Sequence, residues 1–250
     1  MSPESVVSDR VTVVIPTYNE CENLADLAAA VRAYGYRLLV VDDNSPDGTG
    51  DLADGLAAED EAIAVLHRPA KRGLGKAYTE AFDRLIASEE ADVIVEMDAD
   101  FSHDPVDLPR LIAAIEAGAD LVIGSRYVAG GSTPDWPLTR RLVSKGGNLY
   151  ARLMLGVPTR DTTAGFRAFR VEALRRLPYD QTRASGYGFQ VEMAWLAHRT
   201  GLTIAEVPVN FRDRTRGTSK MGTKIVLEAM WLVTVWGLSR LGRSIRLTGR

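Results

Sequence analysis

The chain has 250 residues, of which 46% are apolar and 25% are charged. This composition excludes a disordered or collagen-like chain and is typical of a packed globular protein. The single cysteine, Cys21, cannot form an internal disulfide, and no leader segment opens the sequence, so we expect a cytoplasmic protein. The three histidines are too scattered for a zinc site, so we expect oxygen ligands for any metal.

The charge is unevenly distributed along the chain. The formal net charge is -3, but residues 212–250 carry nine Lys and Arg against two acidic residues, a net charge of +7. Residues 1–211 therefore carry -10. A basic segment on an acidic body indicates an anionic partner, such as a membrane surface or a phosphate group.

The first half of the chain alternates apolar, β-rich runs with helical patterns. Strands are predicted over residues 11–17, 37–43, 62–68, 92–100 and 119–127. Helices are predicted between them over residues 20–33, 47–60, 74–88 and 105–117. This order predicts an α/β fold with a mainly parallel sheet flanked by helices, and with ligands at the carboxyl ends of the strands.

The second half is less regular. A loop over 129–134 is followed by a predicted helix over 139–155, a strand over 165–170, a helix over 186–200 and a strand over 204–211. No second hydrophobic core is apparent, so we expect these elements to complete a single domain over residues 1–221.

The C-terminal segment, residues 222–250, contains an apolar stretch at 225–238 with one charged residue, Glu228. A membrane span needs about 20 apolar residues, so this stretch is too short to cross a bilayer. Two interpretations remain open. It is either a terminal helix packed on the core, or a basic amphipathic helix at a membrane interface with Trp231 and Trp236 at headgroup depth.

Two aspartates, Asp98 and Asp100, close the apolar run that begins at residue 93. Because side chains alternate along a strand, we expect both carboxylates to point the same way at the carboxyl edge of the sheet. Carboxylates this close repel one another unless a cation lies between them. A hard divalent ion, Mg²⁺ or Mn²⁺, shared with substrate phosphates is the expected occupant.

Further polar groups are predicted at the same edge. The first strand delivers Pro16, Tyr18 and Glu20, and the second delivers Asp42, which we expect to contact a base or a ribose. Arg126 ends the fifth predicted strand, where a guanidinium can bind phosphate oxygens in bidentate fashion. Together these groups predict a nucleotide site.

A glycine pair at Gly73 and Gly75 resembles part of a dinucleotide-binding loop. The third glycine is missing and no acidic residue ends a strand about 20 residues later. The pair is better interpreted as a helix start with close packing.

Seven segments carry a family resemblance. They are VVIPTYNE (13–20), VVDDNSPDGTG (40–50), KRGLGKAY (71–78), DADFSHDP (98–105), IGSRY (123–127), DTTAGFRAFR (161–170) and RTRGTSK (214–220). In this order they resemble family 2 glycosyltransferases of the GT-A fold, most closely the polyprenol-phosphate (dolichol-phosphate) mannosyltransferases. The resemblance implies transfer of mannose from GDP-mannose to a polyprenyl monophosphate, with inversion.

The resemblance also implies roles for individual residues. The guanosine side of the donor would be held by Pro16, Tyr18, Glu20, Val40 and Asp42. The metal and diphosphate would be held by Asp98, the Ala99 backbone and Asp100. Phosphate charge would be neutralised by Arg126, Arg214 and Lys220, with Arg140 beside the acceptor.

A phosphate acceptor changes the demand for a general base. With a second pKa of about 6, a monophosphate is largely ionised at neutral pH, so no dedicated base is required. Asp161 and Glu192 remain candidates for such a role, and structural hydrogen bonding is an equal alternative for both.

The expected partners are GDP-mannose, polyprenyl phosphate, an anionic membrane surface and a separate membrane-anchoring subunit, with no nucleic acid. The expected location is peripheral, on the inner face of the cell membrane. Two alternatives stay open at this stage: transfer of another sugar, such as glucose from UDP-glucose, to the same lipid phosphate, or a non-catalytic nucleotide-sugar binding module.

Overall fold

The computed structural model describes residues 9–184, 186–213 and 223–248, with the backbone alone at residues 187, 223–226 and 240–248. Within this part of the chain, seven strands form one sheet in the order β3-β2-β1-β4-β6-β5-β7. The strands are β1 (Val11–Thr17), β2 (Arg37–Asp42), β3 (Ile63–His67), β4 (Val93–Glu96), β5 (Leu121–Ser125), β6 (Arg167–Arg170) and β7 (Ile204–Pro208).

The sheet is mainly parallel, as predicted. The exception is β6, which runs antiparallel between β4 and β5. The central strands are apolar on both faces because helices cover both sides of the sheet. Along β2, Leu38 and Val40 pack into one core cluster, whereas Leu39 and Val41 pack into the cluster on the opposite face.

Eight α-helices are present in the described residues. They are α1 (Cys21–Arg32), α2 (Thr49–Glu59), α3 (Leu74–Ser88), α4 (Leu108–Glu116), α5 (Leu138–Leu155), α6 (Val171–Leu174), α7 (Tyr187–Arg199) and α8 (Thr223–Thr248). A short 3₁₀ turn, Pro105–Asp107, leads into α4. Helices α1 and α4 cover one face of the sheet, and α3 and α7 cover the other.

The start of α3 confirms the close-packing interpretation of the glycine pair. Gly73 precedes the helix with a φ of 93°, a value that favours glycine. A Cβ at Gly75 would lie 2.8 Å from Cδ2 of Phe189 on α7. The glycine therefore lets α3 and α7 approach closely.

The C-terminal helix α8 lies against α5 and α7. Trp236 stacks on Trp195 with ring centroids 5.2 Å apart, and the hydroxyls of Tyr150 and Thr234 lie 2.6 Å apart. None of the described helices is long and apolar enough to cross a bilayer. The division into a domain at 1–221 and a segment at 222–250 stays a prediction.

Candidate active site

The carboxyl ends of β1, β2 and β4 lie side by side, because β1 pairs in parallel with both of its neighbours. The acidic pair follows β4, but that strand ends at Glu96. Asp98 and Asp100 therefore lie in the turn after the strand, and the expectation that strand alternation aligns them is wrong. The turn sets their direction instead: Phe101 has a φ of 59°, and the Ser102 backbone N–H donates to Asp100 Oδ1 at 3.0 Å.

A buried histidine fixes the position of Asp98. The Asp98 backbone N–H donates to His103 Nδ1 at 3.1 Å, and the imidazole stacks on Phe166 with centroids 5.0 Å apart. Burial lowers the pKa of His103, so the ring is neutral at neutral pH and carries its proton on Nε2, 4.0 Å from Asp98 Oδ2. The sequence prediction missed His103, although it lies three residues after Asp100.

The Asp98 carboxylate opens into a crevice that Arg126, Thr163 and Gly165 also line. The Asp98 side chain is 37% exposed. A Cβ at Gly165 would lie 3.8 Å from Asp98 Oδ2 and 3.4 Å from His103 Cε1. The absence of a side chain at Gly165 therefore keeps this wall of the crevice open.

The turns after β1 and β2 form the neighbouring part of the edge. Lys71 Nζ lies 4.0 Å from the centroid of the Tyr18 ring, a cation–π geometry. Glu20 accepts a hydrogen bond from Asn23 Nδ2 at 3.0 Å, and Pro16 is half-buried beside them. Contact of Pro16, Tyr18 and Glu20 with a nucleotide stays a prediction.

Asp42 is buried and holds the turn between β2 and α2. Its carboxylate accepts hydrogen bonds from Thr17 Oγ1 and from the Ser45 backbone N–H, both at 3.0 Å. Its contact with a base or ribose stays a prediction. Val40, however, is 0% exposed and packs in the core of the sheet. The structure therefore offers no exposed surface of Val40 to a nucleotide, and this contact stays a prediction.

Arg126 lies at the carboxyl edge next to β5, buried in an ion pair. Its Nε and Nη2 donate to the two carboxylate oxygens of Asp161 at 2.7 and 2.6 Å, and Nη2 also donates to Thr163 Oγ1 at 2.8 Å. The two side chains are 4% and 0% exposed. The expected bidentate geometry exists, but its partner in this structure is a protein carboxylate rather than a phosphate.

The same contacts bear on the two candidate bases. Both oxygens of Asp161 are bound by Arg126, so Asp161 orients a cation and is not placed to accept a proton from a substrate. Glu192 accepts hydrogen bonds from the backbone N–H groups of Arg183 and Ala184 at 2.9 and 3.0 Å. The structural alternative therefore describes both acids in this structure.

Arg140, on the first turns of α5, lies beside the same region. It donates to Asp213 at 2.7 Å, and its guanidinium lies 4.0 Å from the centroid of Trp136. Arg214 and Lys220 lie outside the described residues. The Ala99 backbone lies between the two aspartates in a residue that is 5% exposed, and its contact with a diphosphate stays a prediction.

A buried cluster of Glu96, Arg167 and Gln190 lies next to the acidic turn that follows β4. The sequence prediction missed this cluster. Glu96 and Arg167 face each other in the register of β4 and β6, and Gln190 Nε2 donates to Glu96 Oε2 at 2.9 Å. Burial raises the pKa of Glu96 to about 7 and lowers that of Arg167 to about 10. The pairing of β4 with β6 and the packing of α7 bring these residues together from distant parts of the chain, so no local motif signals the cluster.

An apolar cleft of about 190 Å³ lies between α5 and α8. Its walls include Val143 and Tyr150 of α5 and Met230 and Val233 of α8. Arg126 and Arg140 line the same cleft. Because Arg126 also lines the crevice at Asp98, it joins the polar crevice to the apolar cleft.

Exposed side chains of α5 and α8 form a surface that we call the exposed apolar face. Of the twelve large apolar side chains that are exposed among the described residues, ten lie on these two helices. They are Leu138, Leu142, Val143, Leu149 and Leu153 on α5, and Leu227, Met230, Trp231, Val235 and Leu238 on α8. A concentration of exposed apolar side chains on two neighbouring helices is typical of a contact site for a membrane or a protein.

The residues at the acidic edge fit a hard divalent cation. Mg²⁺ is usually held by one or two carboxylates together with substrate phosphates, and a complete protein cage is not needed. The described residues contain no group of three or more His, Cys, Asp or Glu that could hold a metal. Asp98 and Asp100 are thus suited to an ion that arrives with an anionic substrate.

Residues 12–177 match the model of the family described as Glycosyl transferase family 2. The chain belongs to glycosyl transferase family 2. It is 49% identical over 239 residues to the undecaprenyl-phosphate mannosyltransferase of Micrococcus luteus, which covers 95% of this chain and 98% of that protein. It is 46% identical over 241 residues to the polyprenol monophosphomannose synthase of Mycolicibacterium smegmatis, with coverage of 95% and 91%.

The fold is similar to that of a more distant solved structure. Glucosyl-3-phosphoglycerate synthase from Mycobacterium tuberculosis, in complex with Mn²⁺ and UDP-glucose, superimposes with a TM-score of 0.63 at 23% identity. The match covers 94% of this chain and 79% of that one. At this identity the similarity establishes the fold alone, which is the GT-A-type fold that the sequence resemblance implied.

Proposed function

We propose that this glycosyltransferase transfers mannose from GDP-mannose to a polyprenyl monophosphate with inversion, giving polyprenyl-phosphate-mannose. The observation that carries the proposal is the position of Arg126, which lines both the crevice at Asp98 and the apolar cleft between α5 and α8. An acceptor with an anionic head and an apolar chain needs these two environments side by side. The names of the relatives in Micrococcus and Mycolicibacterium support the same sugar and the same class of acceptor.

The donor would occupy the edge formed by the ends of β1, β2 and β4. Asp98 and Asp100 would hold Mg²⁺ or Mn²⁺, which stabilises negative charge on the leaving diphosphate when it is bound. His103 fixes the backbone of Asp98, and Ser102 fixes the carboxylate of Asp100. The residues therefore preorganise the acidic pair before substrates bind.

The acceptor phosphate would lie near Arg126 and Arg140. Because this phosphate is already largely ionised at neutral pH, it needs alignment with the sugar rather than deprotonation. Both candidate bases are held by structural hydrogen bonds, which agrees with a reaction that has no dedicated base. Arg214 and Lys220 stay predicted phosphate ligands.

A lipid acceptor requires access to a bilayer, and the exposed apolar face provides a surface for it. Helices α5 and α8 together carry eight Lys and Arg against one acidic residue, Glu228. Apolar side chains flanked by cations are typical of helices that lie in an anionic membrane interface. We therefore propose peripheral binding at the inner face of the cell membrane, and a separate anchoring subunit stays a prediction.

Transfer to a lipid phosphate can be measured directly. Purified protein is incubated with a polyprenyl phosphate, Mg²⁺ or Mn²⁺, and either GDP-mannose or UDP-glucose, and the glycolipid is identified by mass. We expect a mannosyl product from GDP-mannose that EDTA abolishes. A glucosyl product alone would show that the donor is UDP-glucose. The absence of glycolipid with both donors would refute the proposal.

A further inference from the structure

Asn148 connects helix α5, which carries half of the exposed apolar face, to the residues that hold Arg126. It lies on the inner side of α5 and is 2% exposed. Its Oδ1 accepts hydrogen bonds from the backbone N–H and the hydroxyl of Thr162 at 2.7 and 2.9 Å. Its Nδ2 donates to Thr163 Oγ1 at 3.1 Å and to the Ser144 carbonyl at 3.0 Å. A single amide thus uses all four of its hydrogen-bonding positions.

The turn over residues 161–163, which Asn148 holds, binds Arg126. Thr163 Oγ1 accepts from Arg126 Nη2 at 2.8 Å, and Asp161 accepts from the Arg126 backbone N–H and from both Nε and Nη2. Arg167 of β6 also holds this turn, because its guanidinium donates to the Thr162 carbonyl at 2.7 Å. Asn148 is the contact in this set that comes from α5.

We propose that Asn148 is a positioning residue, which couples the bilayer-facing helix α5 to the guanidinium of Arg126 and thereby aligns the acceptor phosphate. This inference rests on the proposed function. In this proposal Asn148 contacts no substrate and acts through Thr162, Thr163 and Asp161. A phosphate aligned by Arg126 is sensitive to small errors, since a misplacement of about 1 Å can lower a rate about 100-fold.

The test compares Asn148→Leu, which removes all four hydrogen bonds at similar volume, with Asn148→Asp, which keeps the two acceptor contacts to Thr162. We expect Asn148→Leu to lower kcat/KM for polyprenyl phosphate about 10- to 100-fold and to leave the Kd for GDP-mannose unchanged. Asn148→Asp should have a smaller effect. Leu155→Ala, a buried substitution on the same helix, is the control for a general loss of stability.

A double-mutant cycle separates positioning from simple destabilisation. If Asn148 acts through Arg126, Asn148→Leu should cause little further loss in an Arg126→Lys background. Multiplied losses in the double variant, an unchanged kcat/KM in Asn148→Leu, or an equal loss in Leu155→Ala would each overturn the inference. If Asn148→Leu does not fold, Asn148→Asp is used in the same cycle.

The wild-type protein distinguishes this failure from failure of the proposed function. No transfer to polyprenyl phosphate by the wild type would reject the function itself. An active wild type with an equally active Asn148→Leu would reject the inference alone. The NMR signal of the Arg126 Nε–H group provides a readout without turnover: Asn148→Leu should shift it, and an unshifted signal would contradict the coupling.

Discussion

Arg126 and Asp161 form a buried, bidentate ion pair across 35 residues of sequence, with donor–acceptor distances of 2.7 and 2.6 Å. The Arg126 backbone N–H donates to the same carboxylate at 2.9 Å. The carboxylate therefore fixes both the main chain and the side chain of Arg126. This pairing sets the orientation of the cation that joins the polar crevice to the apolar cleft.

Removing one partner of this pair should destabilise the fold strongly. In Arg126→Ala the Asp161 carboxylate stays buried without its cation, and such a loss typically costs about 3–5 kcal/mol. The double variant Arg126→Gln/Asp161→Asn replaces the pair with neutral hydrogen-bonding groups and should recover most of the unfolding free energy. Urea denaturation measures both.

Catalysis should respond differently from stability. The double variant lacks the cation that we propose for the acceptor phosphate, so we expect its transfer rate to stay at least 100-fold below that of the wild type. Wild-type activity in a stable double variant would show that Arg126 does not bind phosphate.

The acidic pair gives a second prediction. Asp100→Ala should abolish metal-dependent transfer while the chain stays folded, because the substitution removes a proposed metal ligand together with the hydrogen bond donated by the Ser102 backbone N–H, and such a bond is worth about 1 kcal/mol. Activity is measured by glycolipid formation and folding by circular dichroism. Glu116→Gln is the control, since Glu116 ends α4 at the opposite edge of the sheet. Activity retained by Asp100→Ala with added Mg²⁺ or Mn²⁺ would contradict the assignment.

The sequence predicted the parallel strands well because their cores are continuous apolar runs. Residues 37–43 were expected as a strand, and β2 covers Arg37–Asp42. The prediction for residues 92–100 was too long, since β4 ends at Glu96. Asp100 accepts a hydrogen bond from a backbone N–H two residues on, and this local bond favours a turn over continued strand.

Long-range pairing explains what the sequence could not reveal. Nothing in the local pattern indicates that β6 inserts antiparallel between β4 and β5, or that Asp161 binds Arg126. The amphipathic tail was partly predictable. Trp231 is 68% exposed as the membrane interpretation requires, but Trp236 stacks on Trp195 instead of facing outward. Periodicity predicts the helix α5. Which of its leucines are exposed depends on the elements that pack against the helix, and the sequence does not reveal those elements.

The buried Glu96 predicts an unusual pH dependence of stability. Burial raises its folded pKa from 4.5 to about 7, so between these values the folded chain binds more protons than the unfolded chain. The unfolding free energy should therefore fall as pH rises from about 4.5 to 7, by on the order of 3 kcal/mol from this group. Glu96→Gln has no such proton and should lack this fall.

The comparison is made by urea denaturation at pH 5 and pH 8 in the presence of EDTA, which removes any metal effect. Glu116→Gln, at the exposed end of α4, is the control and should keep the fall. If the unfolding free energies of the wild type and Glu96→Gln differ by the same amount at both pH values, Glu96 is ionised throughout and the prediction fails.

The exposed apolar face should bind anionic lipid. Trp231→Ser removes a large exposed side chain of α8, and we expect the affinity for anionic vesicles to fall about tenfold, or about 1.4 kcal/mol, with no change in unfolding free energy. Tyr34→Ser is the matched control, because Tyr34 is an exposed aromatic residue away from this face. Sedimentation with vesicles measures binding, and high salt should weaken the electrostatic part in both variants. Equal losses in Trp231→Ser and Tyr34→Ser would show that α5 and α8 do not form the lipid contact.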